Sequence, residues 1–244
     1  SVNPDAGGPS VSMEDGTTVA GRVVVGADGV HSAVRRDMFG AAAGIGPALL
    51  AQASWRFMAP NPGLRCWTVW ADAAGLVLLM PVGEDEVYGW ASVTAPVPPD
   101  GSIAALLNMA AGLPCRARDI VVDAASRPGT LYHSPLEEVR LPRWHSGGTV
   151  LIGDAAHATA PVWAQGAALG MEDALTLGRL LASGQAVPAA LAAFEALRRP
   201  RIAHVQRMTD RMSRAAGLPS WLRNMLLPLV GPRSYRRTYG PLRQ

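Results

Sequence analysis

The sequence predicts a mixed α/β (α+β) chain: part of an open parallel sheet, an inserted antiparallel sheet, and helices toward the C terminus. Three observations predict it. Two short apolar runs, Val23–Val25 and Thr149–Ile152, each end in glycine and lead toward helical sequence, as strands of a parallel sheet do when both faces are covered. Between them, segments at 49–58, 64–70, 75–81 and 86–94 are rich in Trp, Val, Tyr and Leu and are separated by Gly, Pro and Asp, which suggests about four antiparallel strands. After residue 170, apolar side chains recur at helical spacing.

Taken in order, residues 10–13 and 17–25 read as two strands around a Glu-Asp-Gly turn, with Asp15-Gly16 as the hairpin signal. Ser32 to Phe39 reads as a helix, and residues 101–112 as a short one. The Pro-Arg-Trp-His turn at 142–145 leads into the strand at 149–152, and 153–170 is a loop and helix start. Glu172 to Leu181 is a helix whose apolar face is Ala174, Leu175, Leu177, Leu180 and Leu181. Residues 188–215 carry one or two helices, with a break expected at Arg199-Pro200. The tail from Leu218 is apolar and basic.

Composition excludes several function classes. An apolar fraction of 49% with 17% charged residues reads as globular rather than disordered. Net charge is only +3, and all 22 basic residues are arginine with no lysine, where a nucleic-acid binder normally mixes both cations, so nucleic-acid binding is not expected. No apolar stretch approaches a membrane span, and no signal peptide opens the chain; stable membrane insertion is not expected and the location reads as cytoplasmic. Two cysteines, Cys66 and Cys115, are too few for a disulfide scaffold. No metal-ligand spacing is present, and no catalytic residue can be named from sequence order.

Two constellations carry chemistry. The first is Gly26-Ala-Asp-Gly-Val-His-Ser-Ala-Val-Arg35, a turn between strand and helix. Ligands of open parallel sheets sit at such strand ends. Gly26 and Gly29 allow close backbone approach, Asp28 offers an acceptor, and Arg35 a cation. The second is Gly153-Asp-Ala-Ala-His157 with Pro161, Gln165-Gly166 and Glu172-Asp-Ala174. Here Asp154 can accept hydrogen bonds from sugar-like hydroxyls. Gly166, Ala167 and Ala168 open a helix whose free N–H groups favour negative charge. Glu172 and Asp173 read as helix surface charges, with anchoring of the helix as the alternative. His157 reads as structural, and His31 and His133 join no constellation.

Both constellations, in this order, resemble the class A flavoprotein monooxygenases, the family of para-hydroxybenzoate and salicylate hydroxylases. Ala53-Ser-Trp-Arg56, Met80-Pro81 and Phe194-Glu-Ala-Leu-Arg-Arg-Pro-Arg201 fit the same pattern, so the resemblance spans roughly residues 10 to 208. It implies a partial Rossmann-like FAD-binding domain (1–45 and 141–200), an inserted substrate-binding antiparallel sheet (46–140) and a C-terminal helical region (201–244). It further implies FAD as cofactor, NADH or NADPH as cosubstrate, and O₂-dependent hydroxylation or epoxidation of an aromatic, hydrophobic or polyketide-like small molecule. On this reading Asp154, after Gly153, binds the ribityl chain. Asp28, Gly29 and Arg35 lie near the pyrophosphate, and Pro161, Ala164, Gln165, Gly166, Ala167 and Ala168 line the isoalloxazine ring. The Trp residues at 55, 67, 70 and 90 are expected in the sheet, as core more than as ligand cage.

Three departures from the pattern stand out. Ala164 occupies the first glycine position of the usual Gly-Gln-Gly, where a positive φ would cost alanine about 1 kcal/mol. Trp163 precedes it where a smaller residue is common. No Gly-x-Gly-x-x-Gly follows a strand and opens a helix, so the ADP half is expected to need a missing N-terminal segment or a companion chain. An exposed sheet edge, poor solubility or partner dependence would follow. The alternatives are a non-catalytic or redox-neutral relative that binds a small molecule, and another FAD-fold oxidoreductase.

Overall fold

The structure is a computed structural model. It describes residues 1–3, 8–40, 44–47, 53–71, 74–93, 102–127, 129–161, 164–216, 218, 221–222, 225, 237 and 240–243. Expectations for 49–52, Thr94, Gly101, Val162, Trp163 and most of the tail beyond 216 lie outside them. The chain divides into two compact units. One holds residues 1–46, 137–212 and 233–244, and the other holds 47–136 and 213–232.

In the first unit, β1 (Val2–Asn3), β2 (Ser10–Ser12) and β3 (Thr18–Ala20) form an antiparallel sheet in that order. The β2–β3 turn is the one the Asp-Gly pair predicts: Gly16 has φ +84° and Asp15 accepts the Thr17 N–H at 2.8 Å. The expected strand 17–25 is in fact two. The chain turns at Gly21, and β4 (Val24–Gly26) joins a different sheet. Helix α1 (Ala33–Phe39) follows, capped by the Ser32 hydroxyl, which accepts the Arg35 N–H at 2.9 Å. A short strand β5 (Ile45–Pro47) leads to the second unit.

The second unit is built on five antiparallel strands: β6 (Ala53–Pro60), β7 (Thr68–Ala71), β8 (Gly75–Val82), β9 (Glu86–Val93) and β10 (Tyr132–Pro135), ordered β10-β6-β9-β8-β7. Period-2 alternation sorts the side chains. Trp55, Phe57, Ala59, Val77, Leu79, Val87, Ala91 and Val93 face a core closed by α2 (Ile103–Ala111) and α3 (Cys115–Ser126). Helix α3 was not anticipated, although Ala117, Val121 and Ala124 supply its buried stripe at helical spacing. On the opposite face, one register row runs Tyr132–Arg56–Trp90–Leu78–Val69 across all five strands. Trp55 and Trp70 therefore belong to the core, Trp90 to the other face, and Trp67 lies outside the strands at 70% exposure.

Back in the first unit, β11 (Glu137–Val139) pairs with β5, and β12 (His145–Ser146) pairs antiparallel with β13 (Thr149–Leu151). Strand β13 runs parallel to β4, Val150 opposite Val25, so the two motif-bearing strands are neighbours. All three residues of β13 are buried, as expected, but Val25 is 41% exposed. The expectation that Val23–Val25 is covered on both faces is corrected: among the described residues β4 is the terminal strand of its sheet, so its surroundings are thinner.

Then come α4 (Asp154–His157), α5 (Gly166–Ala182) and α6 (Val187–Ala216). The buried positions of α5 are Leu169, Asp173 and Leu177, with Leu180 and Leu181 half-buried; Ala174 and Leu175 face outward, Leu175 at 61% exposure. The predicted stripe was rotated because it treated Asp173 as polar surface. Helix α6 continues through Pro200 without the expected break. Pro200 is on the exposed side, as is Ala196, whose carbonyl it leaves without a helical donor, while Leu191, Phe194, Ile202 and Val205 hold the buried face. Among the described residues every ion pair takes its cation from Arg or His. None of the described helices is long and apolar enough to cross a membrane, and no described cluster could hold a metal ion.

Candidate cofactor-binding site

The parallel pairing of β4 and β13 brings the two sequence motifs side by side: the Ile152 N–H donates to the Gly26 carbonyl at 3.0 Å. At the first junction the side chains of Asp28, Ser32 and Arg35 all bond within the chain. The Gly29 carbonyl accepts from the Ser32 N–H at 3.1 Å, and φ at Gly29 is +81°, a backbone shape that favours glycine. Asp28 accepts the Val34 N–H at 3.1 Å. Burial works against its ionisation, but the Ser32 hydroxyl and the Val34 and Ala33 N–H groups outweigh it and hold the carboxyl below the usual aspartate value. Gly26 has a packing reason: a Cβ there would lie 2.7 Å from Leu151 Cδ2 and 2.8 Å from Val34 Cβ.

Arg35 turns inward. It is 2% exposed, and its guanidinium donates to the Ala155 carbonyl at 2.9 Å and to the Val30 carbonyl. The cation expected near a ligand thus ties the first motif to the second.

The second junction is held from behind. Gly153, with φ +58° and ψ −141°, ends the strand segment and starts α4. Its N–H donates to Asp173 Oδ2 at 2.9 Å; the same oxygen lies 2.6 Å from His157 Nε2, and Oδ1 accepts from Arg198 Nε at 2.6 Å. Asp173 is wholly buried. Burial is the largest influence and opposes its charge, yet the His157 ring, the Gly153 N–H and Arg198 together hold its pKa below the ordinary value. Asp173 is therefore an anchor, not a surface charge. Glu172 is partly buried and pairs with Arg198 at 2.8 Å and with Arg201. His157 has the structural role expected of it: it is 3% exposed, with its ring 5.1 Å from that of Trp144.

The outward side of this junction is different. Asp154 is exposed, and its Oδ1 is 3.7 Å from where a Cβ on Gly166 would stand, so the carboxylate sits beside the start of α5. Gly153 and Gly170 approach each other closely enough that a Cβ on either would touch the other's Cα at 3.6 Å. Gln165 occupies the N-cap of α5 without a side-chain cap bond, and Pro161, Ala164 and Ala167 are exposed while Gln165, Gly166 and Ala168 are half-buried. Ala164 has φ +51°, the one positive φ at a non-glycine among the described residues. An uncapped helix start beside an exposed acceptor suits a ligand with both anionic and hydroxyl groups, as FAD has.

Sequence reasoning favoured a surface charge for Asp173 over the anchoring alternative that the structure supports, and gave Arg198 no role. Arg198 lies within Phe194–Arg201, a string that carried resemblance without an assigned role. Its guanidinium, 6% exposed overall as a residue, reaches both Asp173 and the Leu169 carbonyl.

Comparison with known proteins decides the family. The model of the FAD binding domain matches residues 5–209. The chain belongs to this FAD binding domain family. Its relatives include the 2-heptyl-3-hydroxy-4(1H)-quinolone synthase of Pseudomonas aeruginosa, 31% identical over 245 aligned residues covering 94% of this chain and 62% of that protein. The aurachin C monooxygenase/isomerase of Stigmatella aurantiaca is 31% identical over 77% of this chain and 50% of its own length. Among solved structures, Klebsiella pneumoniae HpxO complexed with FAD and uric acid superposes with a TM-score of 0.77 at 26% identity, covering 92% of this chain and 59% of HpxO. The chain thus spans between half and about three-fifths of the length of these relatives. The mixed α/β fold and the FAD-dependent monooxygenase kinship expected from the two motifs are both borne out.

Proposed function

We propose that residues 1–244 form the flavin-ring and substrate side of an FAD-dependent monooxygenase. It would use NADH or NADPH and O₂ to hydroxylate or epoxidise an aromatic or polyketide-like small molecule. The observation that carries this reading is the second junction, where the exposed Asp154 and the uncapped start of α5 face outward from a backbone anchored by buried Asp173. Gly153 and Asp154 would hold the ribityl chain. Pro161, Ala164, Gln165, Gly166, Ala167 and Ala168 would line the ring, and Asp28 and Gly29 would lie toward the pyrophosphate. Arg35 would serve the same end indirectly, by fixing the first turn to Ala155.

FAD, when bound, supplies the electron-transfer and oxygen chemistry; the protein binds it, orients it and excludes water. The uncapped N–H groups of α5 stabilise negative charge near them by about 0.3–1 kcal/mol, and more if the site is closed to water. For the substrate, the row Tyr132–Arg56–Trp90–Leu78–Val69 supplies aromatic and aliphatic surface, with the Arg56 guanidinium 5.6 Å from the Tyr132 ring centroid. That surface suits a planar hydrophobic molecule bearing an acidic oxygen. The ADP half of FAD would be held by a strand–Gly-x-Gly-x-x-Gly–helix unit, which residues 1–244 do not contain, supplied by further sequence or a companion chain. A cytoplasmic location accords with two exposed free thiols.

The test is reconstitution of the chain with a Gly-x-Gly-x-x-Gly unit and FAD. Flavin absorbance near about 450 nm and NAD(P)H-driven O₂ consumption coupled to a hydroxylated product are expected. A colourless protein would overturn the FAD assignment; NAD(P)H oxidation with no oxygenated product from any aromatic substrate would indicate a different FAD-dependent oxidoreductase.

A further inference from the structure

Glu138 is a buried carboxylate, 5% exposed on β11, with no part in the site described so far. Its Oε1 accepts the Ala160 N–H at 3.3 Å, and its Oε2 accepts from Arg140 Nη2 at 2.8 Å and Nε at 3.3 Å. Arg140 is itself held by Asp210 of α6, through Nη2 at 2.6 Å and Nη1 at 3.2 Å. A second tie runs beside the first: the Val139 N–H donates to the Ala158 carbonyl at 2.9 Å, and Gln206 Nε2 donates to the Val139 carbonyl at 3.2 Å.

These contacts fall on the stretch that runs from α4 into Pro161 and Ala164. Its entry is fixed by Asp173 through Gly153 and His157; its exit is fixed by Glu138 through Ala160. Hydrogen bonds to ionised acceptors are roughly twice as strong as neutral ones. A left-handed alanine persists only where its surroundings over-determine it, and Ala164 is four residues beyond the Glu138 anchor.

We infer that Glu138 is a positioning residue for Ala160 and Pro161 and, through the Ala164 N–H that donates to the Pro161 carbonyl at 3.3 Å, for Ala164. Its carboxylate, held in place by Arg140 and Asp210, fixes the Ala160 N–H and with it the backbone proposed to face the flavin ring. The ring-facing part of this statement rests on the FAD reading; the mechanical part does not.

Amide exchange measured residue by residue on the 244-residue chain tests the mechanical part without flavin. Glu138→Ala should speed exchange at Ala160 and Ala164 about tenfold, while Val150, Leu151 and Leu177 stay unchanged. Glu138→Gln keeps an oxygen able to accept the Ala160 N–H and should stay within about threefold of the parent. Asp210→Asn, which leaves Glu138 in place but loosens Arg140, should fall between them. No rise at Ala160 and Ala164, or a uniform rise through β13 and α5, overturns the proposal in favour of a general structural tie. If Glu138→Ala does not fold, Asp210→Asn decides: it must speed Ala160 more than Leu177. FAD titration of the same reconstituted proteins then reads the ring-facing part. Glu138→Ala should weaken binding about fivefold and Glu138→Gln should bind like the parent. Equal binding by all three overturns the ring-facing part. Failure of the parent to bind FAD overturns the FAD reading alone, leaving the exchange result to decide the role of Glu138.

Discussion

The two strand–turn–helix junctions lie side by side and share glycine and aspartate, yet they use their polar groups in opposite ways. At the first, Ser32 caps α1, Asp28 accepts the Val34 N–H of its first turn, and Arg35 is buried against two carbonyls, so the turn is tied by its own side chains. At the second, the closing is delegated to Asp173, one helix away, which leaves Asp154 and the start of α5 facing outward. A backbone held by a remote buried anchor can keep its own side chains for a ligand; a backbone held by its own side chains has fewer of them to offer.

The largest effect that would break this contrast is at the anchor. Asp173→Ala leaves the buried Gly153 N–H without its acceptor and Arg198 with Glu172 as its remaining carboxylate, and should destabilise the chain by about 3 kcal/mol in urea unfolding. A loss below about 1 kcal/mol would mean the second junction needs no such anchor. The pH dependence has a definite sign. The Asp173 carboxyl lies below its ordinary value of 3.8 when folded, so the unfolded chain binds the proton more readily. Its contribution is complete above about pH 4 and is lost as pH falls through the folded value, so parent and Asp173→Asn stabilities should converge on acidification. Parallel curves would remove Asp173 as the source.

Arg35→Met comes next. It leaves the Val30 and Ala155 carbonyls without their donor at a site 2% exposed, and about 2 kcal/mol of stability should go with it. A drop in FAD affinity with unchanged unfolding would instead return Arg35 to the role of a direct ligand contact. Asp154→Ala should do the reverse of both: stability within about 0.5 kcal/mol of the parent, but FAD affinity of the reconstituted enzyme lowered about tenfold. Ala164→Gly is the smallest. Relief of a left-handed alanine, less the extra freedom of glycine when unfolded, should raise stability by about 0.5–1 kcal/mol.

The turns and helix starts of the candidate site were legible in the sequence because they are local. Gly153-Asp154, Pro161 and Gln165-Gly166 announce strand end, turn and helix N-terminus within a few positions, and even the positive φ at Ala164 could be anticipated from the glycine it replaces. For the anchors the sequence left a surface charge and a helix anchor both open at Asp173, because their partners are distant. Asp173 reads as surface from its neighbours Met171 and Ala174, and only the fold brings it to His157, 16 positions earlier, and Arg198, 25 later. Glu138 and Asp210, which meet only through Arg140, lie further apart still. Likewise Pro200 signals a break, and its tolerance depends on which side of α6 faces solvent, a tertiary fact. The antiparallel sheet was readable from strand spacing, but β10 joins it from beyond two helices.

The absence of lysine has a practical consequence for the ion pairs. Guanidinium keeps its proton well above the range in which an amine gives it up. At Arg140 burial opposes the charge, but its carboxylate partners outweigh it and raise the value further, so Arg140–Asp210 should survive alkaline solutions that would discharge a lysine pair. The same composition leaves amine-directed crosslinkers no side chain to attack. Thiols offer a selective attachment route for tethering this protein to a surface or dye, since Cys66 and Cys115 are both exposed, on the second unit and away from both junctions in sequence.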